Sequence, residues 1–157
     1  MKHSMEVGFS FGATSGIITT LGLLVGLNAS THSKSAVVGG ILTIALADAF
    51  SDALGIHISE EAENIHSHKQ VWFSTLFTFI AKLVFAMTFL VPVLLLDLSR
   101  AVLVSLVWGF SVLSVLSYRM AKRQNGRPVK AIFEHVFIAL VVVILTHQIG
   151  DWISMKF

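Results

Sequence analysis

The stretch AVVGGILTIALADAFSDALGIHI, residues 36–58, decides the fold of this chain. Its only charged residues are Asp48 and Asp52, and most of the other positions are apolar or small. About 20 such residues in a helix span the hydrocarbon core of a bilayer. The stretch therefore predicts a transmembrane helix that carries two carboxylates inside the membrane.

Four further stretches of similar character surround it, at residues 7–31, 71–96, 101–118 and 131–153. The whole chain has 157 residues, of which 55% are hydrophobic and 13% are charged, and its mean hydropathy is +0.81. A soluble domain carries about 25% charged residues. We therefore expect an all-α polytopic membrane protein, with five transmembrane helices in one domain over residues 1–157 and the lipid bilayer as its surroundings.

Composition also excludes several classes of function. The chain has no cysteine, so disulfides, thiolate zinc sites and cysteine nucleophiles are excluded. A net charge of only +2 argues against a nucleic-acid partner, although the pI is about 9.2. No HExxH signature is present, and the one match to GxSxG, at residues 8–12, lies inside the first apolar stretch and not at a strand-to-helix turn, so we expect a protein that is not an enzyme.

The basic residues predict the orientation of the chain. With five spans, seven of the eleven Lys and Arg residues fall on the side of the N-terminus, five of them between Arg119 and Lys130. Because the basic side of a membrane protein faces the cytoplasm, we expect the N-terminus inside and the C-terminus outside. The cluster is first a topology signal, and a lipid-headgroup site is the alternative. For so short a chain without a targeting extension, we expect a prokaryotic plasma membrane.

The first span carries a ridge of small residues, Gly8, Gly12 and Gly16, at every fourth position. Such a ridge lets another helix approach closely, within one chain or between subunits. We expect a homodimer with this ridge near its symmetry axis. Ser15 and Thr19 add hydroxyl groups that would line a polar path beside the ridge.

Three charged residues are predicted to lie deep in the membrane. Asp48 and Asp52 are four residues apart and share one helix face, about 15 Å and 9 Å from the end of the span at Ile58. Lys82, inside the third span, reaches nearly the same depth as Asp48. Lys82 is either a structural ion-pair partner or part of a switch in which a metal ion or proton displaces it. One lysine for two carboxylates favours the switch.

A polar helix end is predicted to follow the second span on the cytoplasmic side. One face of it carries the carboxylates and imidazoles of His57, Glu60, Glu61 and His68 together with the amide of Asn64, and Glu63 lies nearby. These groups are ligands for Mn²⁺, Fe²⁺ or Zn²⁺. The spacing predicts an entrance that gathers metal ions, and a merely solvated helix end is the alternative.

Two motifs resemble the vacuolar iron transporter family of five-helix membrane proteins. They are GATSGIITT at residues 12–20 and ADAFSDALGIHIS at residues 47–59, the latter followed by Ala62 and Glu63. The resemblance implies a homodimer that exports Fe²⁺ or Mn²⁺ from the cytoplasm in exchange for protons. It also implies a metal path between the first and second helices at the dimer interface, and no permanently bound cofactor.

The chain departs from this family in four respects. Ser15 stands where the family has an acid, Asp52 stands where it has a methionine, and Ile56 stands where an acid often follows the glycine. The extended cytoplasmic metal-binding domain is reduced to a short segment ending at Gln70. Two other functions therefore stay open: a non-transporting membrane scaffold or small subunit of a larger membrane complex, and an exchanger of a monovalent ion for protons.

Overall fold

The computed structural model describes residues 2–157, with side chains from His3 onward, and this part of the chain is helical without any strand. Six helices follow one another: α1 (Lys2–Thr31), α2 (Lys34–Glu63), α3 (His68–Thr88), α4 (Leu90–Leu95), α5 (Leu98–Arg123) and α6 (Pro128–Lys156). They form five segments long and apolar enough to cross a membrane, since α3 and α4 together make the third. The predicted all-α fold with five such helices is confirmed.

α2 and the start of α3 extend several residues beyond the predicted apolar stretches and reach polar caps. The hydroxyl of Ser33 accepts a hydrogen bond from the backbone N–H of Ala36 at the start of α2. Asn64 ends α2 in the left-handed conformation, with a φ of 53°. Ser67 precedes α3, and its backbone N–H donates to the side chain of Gln70 over 2.9 Å.

The third segment is interrupted at Phe89, between α3 and α4. Pro92 lies three residues further on and has no N–H to donate to the carbonyl of Thr88. The side chain of Thr88 is also hydrogen-bonded at this break. Its hydroxyl donates to the carbonyl of Phe85 over 2.6 Å and accepts from the indole of Trp108 over 3.1 Å. The break is therefore a proline effect with local hydrogen bonds around it.

α1 is the central helix of the bundle and packs against α2, α3, α5 and α6. Its glycine ridge lies against α3: a Cβ atom at Gly8 or Gly12 would collide with the backbone of Ser74 or Thr78. Gly8, Gly12 and Gly16 thus form a close helix contact inside the chain. This corrects the prediction that the ridge packs between two subunits, because α3 already covers it.

The outer surface of the bundle is largely apolar. On α6 only Ala139 and Gly150 are buried, while large side chains such as Phe133 and Ile149 are more than half exposed. A helix that is apolar on all sides and yet exposed suits a lipid environment. The long apolar helices are thus compatible with an integral membrane protein.

Candidate functional site

Lys82 lies at the centre of a group of oxygen atoms from two other helices. Its ammonium contacts Asp52 directly and lies 2.6 Å from Oδ2 of Asp48. It also donates a hydrogen bond to Oγ of Ser15 over 2.9 Å. Asp48 and Lys82 form an ion pair, but the angles between their atoms are not those of a hydrogen bond. We call Ser15, Asp48, Asp52 and Lys82 the central site.

The central site lies close to the midpoints of three long helices. Ser15 is halfway along α1, Asp48 is halfway along α2, and Lys82 is halfway along the third segment from His68 to Leu95. Lys82 and Asp48 thus lie at the same level along the bundle. Because five such helices would cross a membrane, charged groups at these midpoints would lie where ionisation is most expensive.

Ser15 connects the two charged helices. Its hydroxyl donates to Oδ2 of Asp52 over 2.7 Å while its oxygen accepts from Lys82. Thr19, which we expected beside it on a polar path, donates instead to the carbonyl of Ser15 over 2.9 Å. Ser15 is therefore part of the central site, and the hydroxyl of Thr19 is used within its own helix.

Gly16 makes this arrangement possible. A Cβ atom at Gly16 would lie 2.9 Å from the carbonyl oxygen of Lys82 and 3.3 Å from its Cγ. Any larger residue would therefore push α3 away from α1. The absent side chain lets the lysine pass α1 closely enough to reach Ser15 and α2.

The charges of the central site do not cancel. Lys82 is 1% exposed, whereas the side chains of Asp48 and Asp52 are 22% and 20% exposed. Two carboxylates and one ammonium leave a net charge of −1 when all three are ionised. The buried lysine is thus shared between two acids that remain partly open to the surroundings of the chain.

Both acids border an exposed row of small residues on α2. The row repeats at every fourth position and consists of Ser35, Gly39, Thr43, Ala47, Ser51, Gly55 and Ser59, all of them exposed. Around Gly39 and Gly55 there is no atom within 4 Å of an added Cβ. We call this row the small face of α2. Unlike the glycine ridge of α1, it is not covered by the rest of the chain.

Glu60, predicted as a metal-gathering residue, points into the protein. It is 6% exposed and accepts a hydrogen bond from the hydroxyl of Ser74 over 2.8 Å. Its second oxygen lies 3.5 Å from Nδ1 of His66, in the turn between α2 and α3. The contacts of Glu60 therefore tie the end of α2 to α3 and to the connecting turn.

His57 lines an apolar cleft. Its Nδ1 lies 2.9 Å from the hydroxyl of Thr75, and its ring meets Trp72 edge-on at 4.7 Å. The cleft, of about 390 Å³, is also lined by Phe50 and Phe79. Such surroundings suit a packed histidine better than a hydrated metal ligand.

The predicted metal-gathering face therefore does not come together within one chain. Glu61 and Glu63 are exposed and make no ion pair with a described residue. Across the described residues, no three histidine or acidic side chains are placed to hold a metal ion together. Sequence reasoning missed Ser74, whose contact with Glu60 arises because the two residues meet between helices. The only sequence signal for Ser74 was its spacing of eight residues from Lys82, about two helical turns, which puts both residues on a similar face of α3.

Comparisons with known proteins leave the resemblance to vacuolar iron transporters as a prediction. No protein-family model matches the chain, and no curated protein shows significant similarity to it. The central site must therefore be interpreted from its own geometry and charge.

Proposed function

We propose that the chain is an integral membrane transporter, not an enzyme, which exports Mn²⁺ or Fe²⁺ from the cytoplasm in exchange for protons. One observation carries the proposal: Asp48 and Asp52 share the single ammonium of Lys82 midway along helices long enough to span a membrane. A carboxylate at mid-membrane depth costs about 3 kcal/mol on insertion scales, and such groups mark ion and proton pathways.

The donor atoms of the central site favour a hard divalent cation. Asp48 and Asp52 offer carboxylate oxygens, and Ser15 offers a hydroxyl oxygen. Carboxylate and water ligands suit Mn²⁺, whereas thiolates and imidazoles select softer ions. Of the two ions that the resemblance implies, Mn²⁺ is therefore the better match for this site.

The charge of the central site supports a homodimer. In one chain, a divalent ion bound beside two carboxylates and an ionised Lys82 leaves a charge of +1, which is unfavourable away from water. Two copies facing each other carry −2 together, and one divalent ion neutralises them while both lysines keep their protons. The metal site proposed here is thus complete only when two chains meet.

The small face of α2 is the surface through which we propose that the copies meet. Small residues let two helix backbones approach closely in a membrane. Asp48 and Asp52 each follow a member of this face directly in sequence, Ala47 and Ser51. A contact here would remove four partly exposed carboxylates from lipid and place them near the two-fold axis.

Exchange follows if metal and protons compete for the same carboxylates. Bound metal leaves when two carboxylates of the dimer take up protons, so that one divalent ion moves against two protons and no net charge crosses the membrane. The distribution of basic residues favours an N-terminus in the cytoplasm, and the membrane that we propose is a prokaryotic plasma membrane. The central site carries no resident cofactor in this scheme.

One observation favours a second candidate, a non-transporting scaffold or subunit of a membrane complex. Lys82 is 1% exposed and has three oxygen atoms at 2.9 Å or less from its nitrogen. A lysine held this firmly would fix the packing of α1, α2 and α3 permanently. The scaffold would use the central site as a structural ion pair and bind no metal there.

Equilibrium binding of Mn²⁺ to the purified protein in lipid nanodiscs separates the two candidates. Free Mn²⁺ is followed by electron paramagnetic resonance for the wild type and for Asp48→Asn/Asp52→Asn. The matched control is Asp97→Asn/Asp151→Asn, which removes two acids that are 59% and 50% exposed near helix ends.

We expect one Mn²⁺ per two chains in the wild type and in the control, and a loss of binding in Asp48→Asn/Asp52→Asn. Absence of binding to a folded, dimeric wild type would favour the scaffold. Equal binding by both double variants would place the metal elsewhere.

A further inference from the structure

A cavity lies away from the central site, between the end of α5 and the start of α6. Its volume is about 530 Å³. Six of the side chains that line it are polar or charged: Ser117, Gln124, Arg127, Lys130, Glu134 and His135. It belongs to the end of the bundle that carries the basic cluster between Arg119 and Lys130.

The cavity has an excess of positive charge around it. Of the five basic residues in the cluster, Arg123 pairs with Glu6 over 2.9 Å and Lys130 pairs with Glu134 over 3.5 Å. Arg119, Lys122 and Arg127 have no acidic partner among the described side chains. The charged side chains that line the cavity, Arg127, Lys130 and Glu134, thus carry a net charge of +1, which favours an anionic ligand.

The walls of the cavity provide hydrogen-bonding groups for an anion. Ser117, 1% exposed, lines it, and its hydroxyl donates to the carbonyl of Leu113 over 2.7 Å and lies 2.8 Å from Nδ1 of His135. α6 begins at the rim with Pro128, and the preceding Arg127 makes no side-chain cap. The backbone N–H groups of Val129 and Lys130 therefore lack a partner within the helix and lie at the positive end of its dipole.

An exposed apolar surface begins beside the cavity. Val129 is 80% exposed and Phe133 is 70% exposed, and Phe133 stacks on Phe137 with ring centroids 6.1 Å apart. A soluble anion would use only the cavity. A molecule with an anionic head and apolar chains would use the cavity and this surface together.

We propose that this cavity binds the headgroup of an anionic phospholipid, with the acyl chains lying along Val129, Phe133 and Phe137 of α6. Basic pockets between transmembrane helices at the cytoplasmic side have the charge and position that such headgroups need. The inference rests on the proposed function only for the membrane orientation of this end, and it does not involve Asp48, Asp52 or Lys82.

Thermal unfolding of the detergent-solubilised protein, followed by tryptophan fluorescence, tests the proposal. The additions are phosphatidylglycerol, phosphatidylcholine or inorganic phosphate at equal concentration. We expect phosphatidylglycerol to raise the Tm of the wild type by about 3 °C at a tenfold excess over its Kd, and the other two additions to leave it unchanged.

Two double variants distinguish an effect of the charges that line the cavity from an effect of the overall charge of the basic cluster. Arg127→Gln/Lys130→Gln removes two charges that line the cavity, whereas Arg119→Gln/Lys122→Gln removes two from the same cluster that do not line it. We expect the shift to disappear in the first variant and to persist in the second. Binding of Mn²⁺ in the same preparation should be equal in both, so that a failure of this site is distinguished from a failure of the central site.

Three results would overturn the proposal. An equal shift with inorganic phosphate would identify a site for a soluble anion. An equal loss in both double variants would show that only the overall charge of the cluster matters. Absence of any shift with phosphatidylglycerol in the wild type would leave the cavity without this ligand.

Discussion

Lys82 and Asp52 form an ion pair between α3 and α2, across a side of α1 that is open because residue 16 is glycine. The lysine is 1% exposed, so its charge is compensated by the protein and not by solvent. Removing one member of such a buried pair leaves an uncompensated charge, which is far more destabilising than replacing both members.

Lys82→Met should lower the free energy of unfolding by about 3 kcal/mol or more, because it leaves two carboxylates facing each other without a cation. The measurement is urea unfolding in detergent, followed by circular dichroism. Lys69→Met, which removes an exposed lysine from the same helix, should change stability by less than about 0.5 kcal/mol. Adding Asp52→Asn to Lys82→Met should restore part of the loss, and strict additivity of the two changes would contradict the pairing.

Two glycine substitutions should have opposite consequences. Gly12→Val places a side chain against the backbone of Thr78 and should prevent the close contact of α1 with α3. Gly55→Val adds its side chain where the single chain has open space, so each chain should fold normally and only the proposed contact between copies should weaken. Thermal unfolding measures the first effect. An unfolding profile of Gly12→Val equal to that of the wild type would contradict the described packing.

The contrast between these glycines shows how far the sequence alone could lead. The five apolar stretches predicted the five helices because hydropathy over 20 residues is a strong signal. The spacing of Gly8, Gly12 and Gly16 predicted a close helix contact, but spacing does not identify the helix on the other side. That depends on how α1 is surrounded, and α3 occupies the ridge that we had expected at a subunit contact.

The proposed dimer can be tested by cross-linking, because the chain has no cysteine of its own. Ser51→Cys places a thiol on the small face of α2, and Leu46→Cys places one on the exposed large-residue side of the same helix. Mild oxidation in proteoliposomes should give a disulfide-linked dimer for Ser51→Cys, since a disulfide needs Cα atoms about 5.5 Å apart. The Leu46→Cys chain should stay monomeric on a denaturing gel. Equal cross-linking of both variants would indicate random collision.

Glu60 is expected to affect stability and not metal transport. Glu60→Ala removes the buried acceptor of the Ser74 hydrogen bond and should lower the free energy of unfolding by about 1–3 kcal/mol. Glu61→Ala, at an exposed neighbouring position, should leave it nearly unchanged. Urea unfolding measures both, together with Mn²⁺ binding per folded dimer. A loss of Mn²⁺ binding in folded Glu60→Ala would restore its predicted role as a metal-gathering residue.

The central site was predictable in part. A lysine and two aspartates within apolar stretches are conspicuous, and equal depth from the helix rise brought Lys82 to Asp48. The partners of His57 and Glu60 were not predictable. The faces of this polar helix end differ little in hydropathy, so hydropathy does not indicate which face turns inward. Tertiary contacts with Thr75 and Ser74 decide between these faces.

Ion flux in proteoliposomes tests the central claim most directly. Vesicles with an acidic lumen would be assayed for uptake of Mn²⁺, Fe²⁺ and Na⁺, with the membrane potential clamped at several values by valinomycin and K⁺. Asp48→Asn/Asp52→Asn would be compared with wild type and with Asp97→Asn/Asp151→Asn. We predict Mn²⁺ uptake with release of two protons per ion, independent of the potential and lost only in Asp48→Asn/Asp52→Asn. Equal absence of flux in folded, dimeric preparations of all three proteins, or flux of Na⁺ alone, would contradict divalent metal exchange at Asp48 and Asp52.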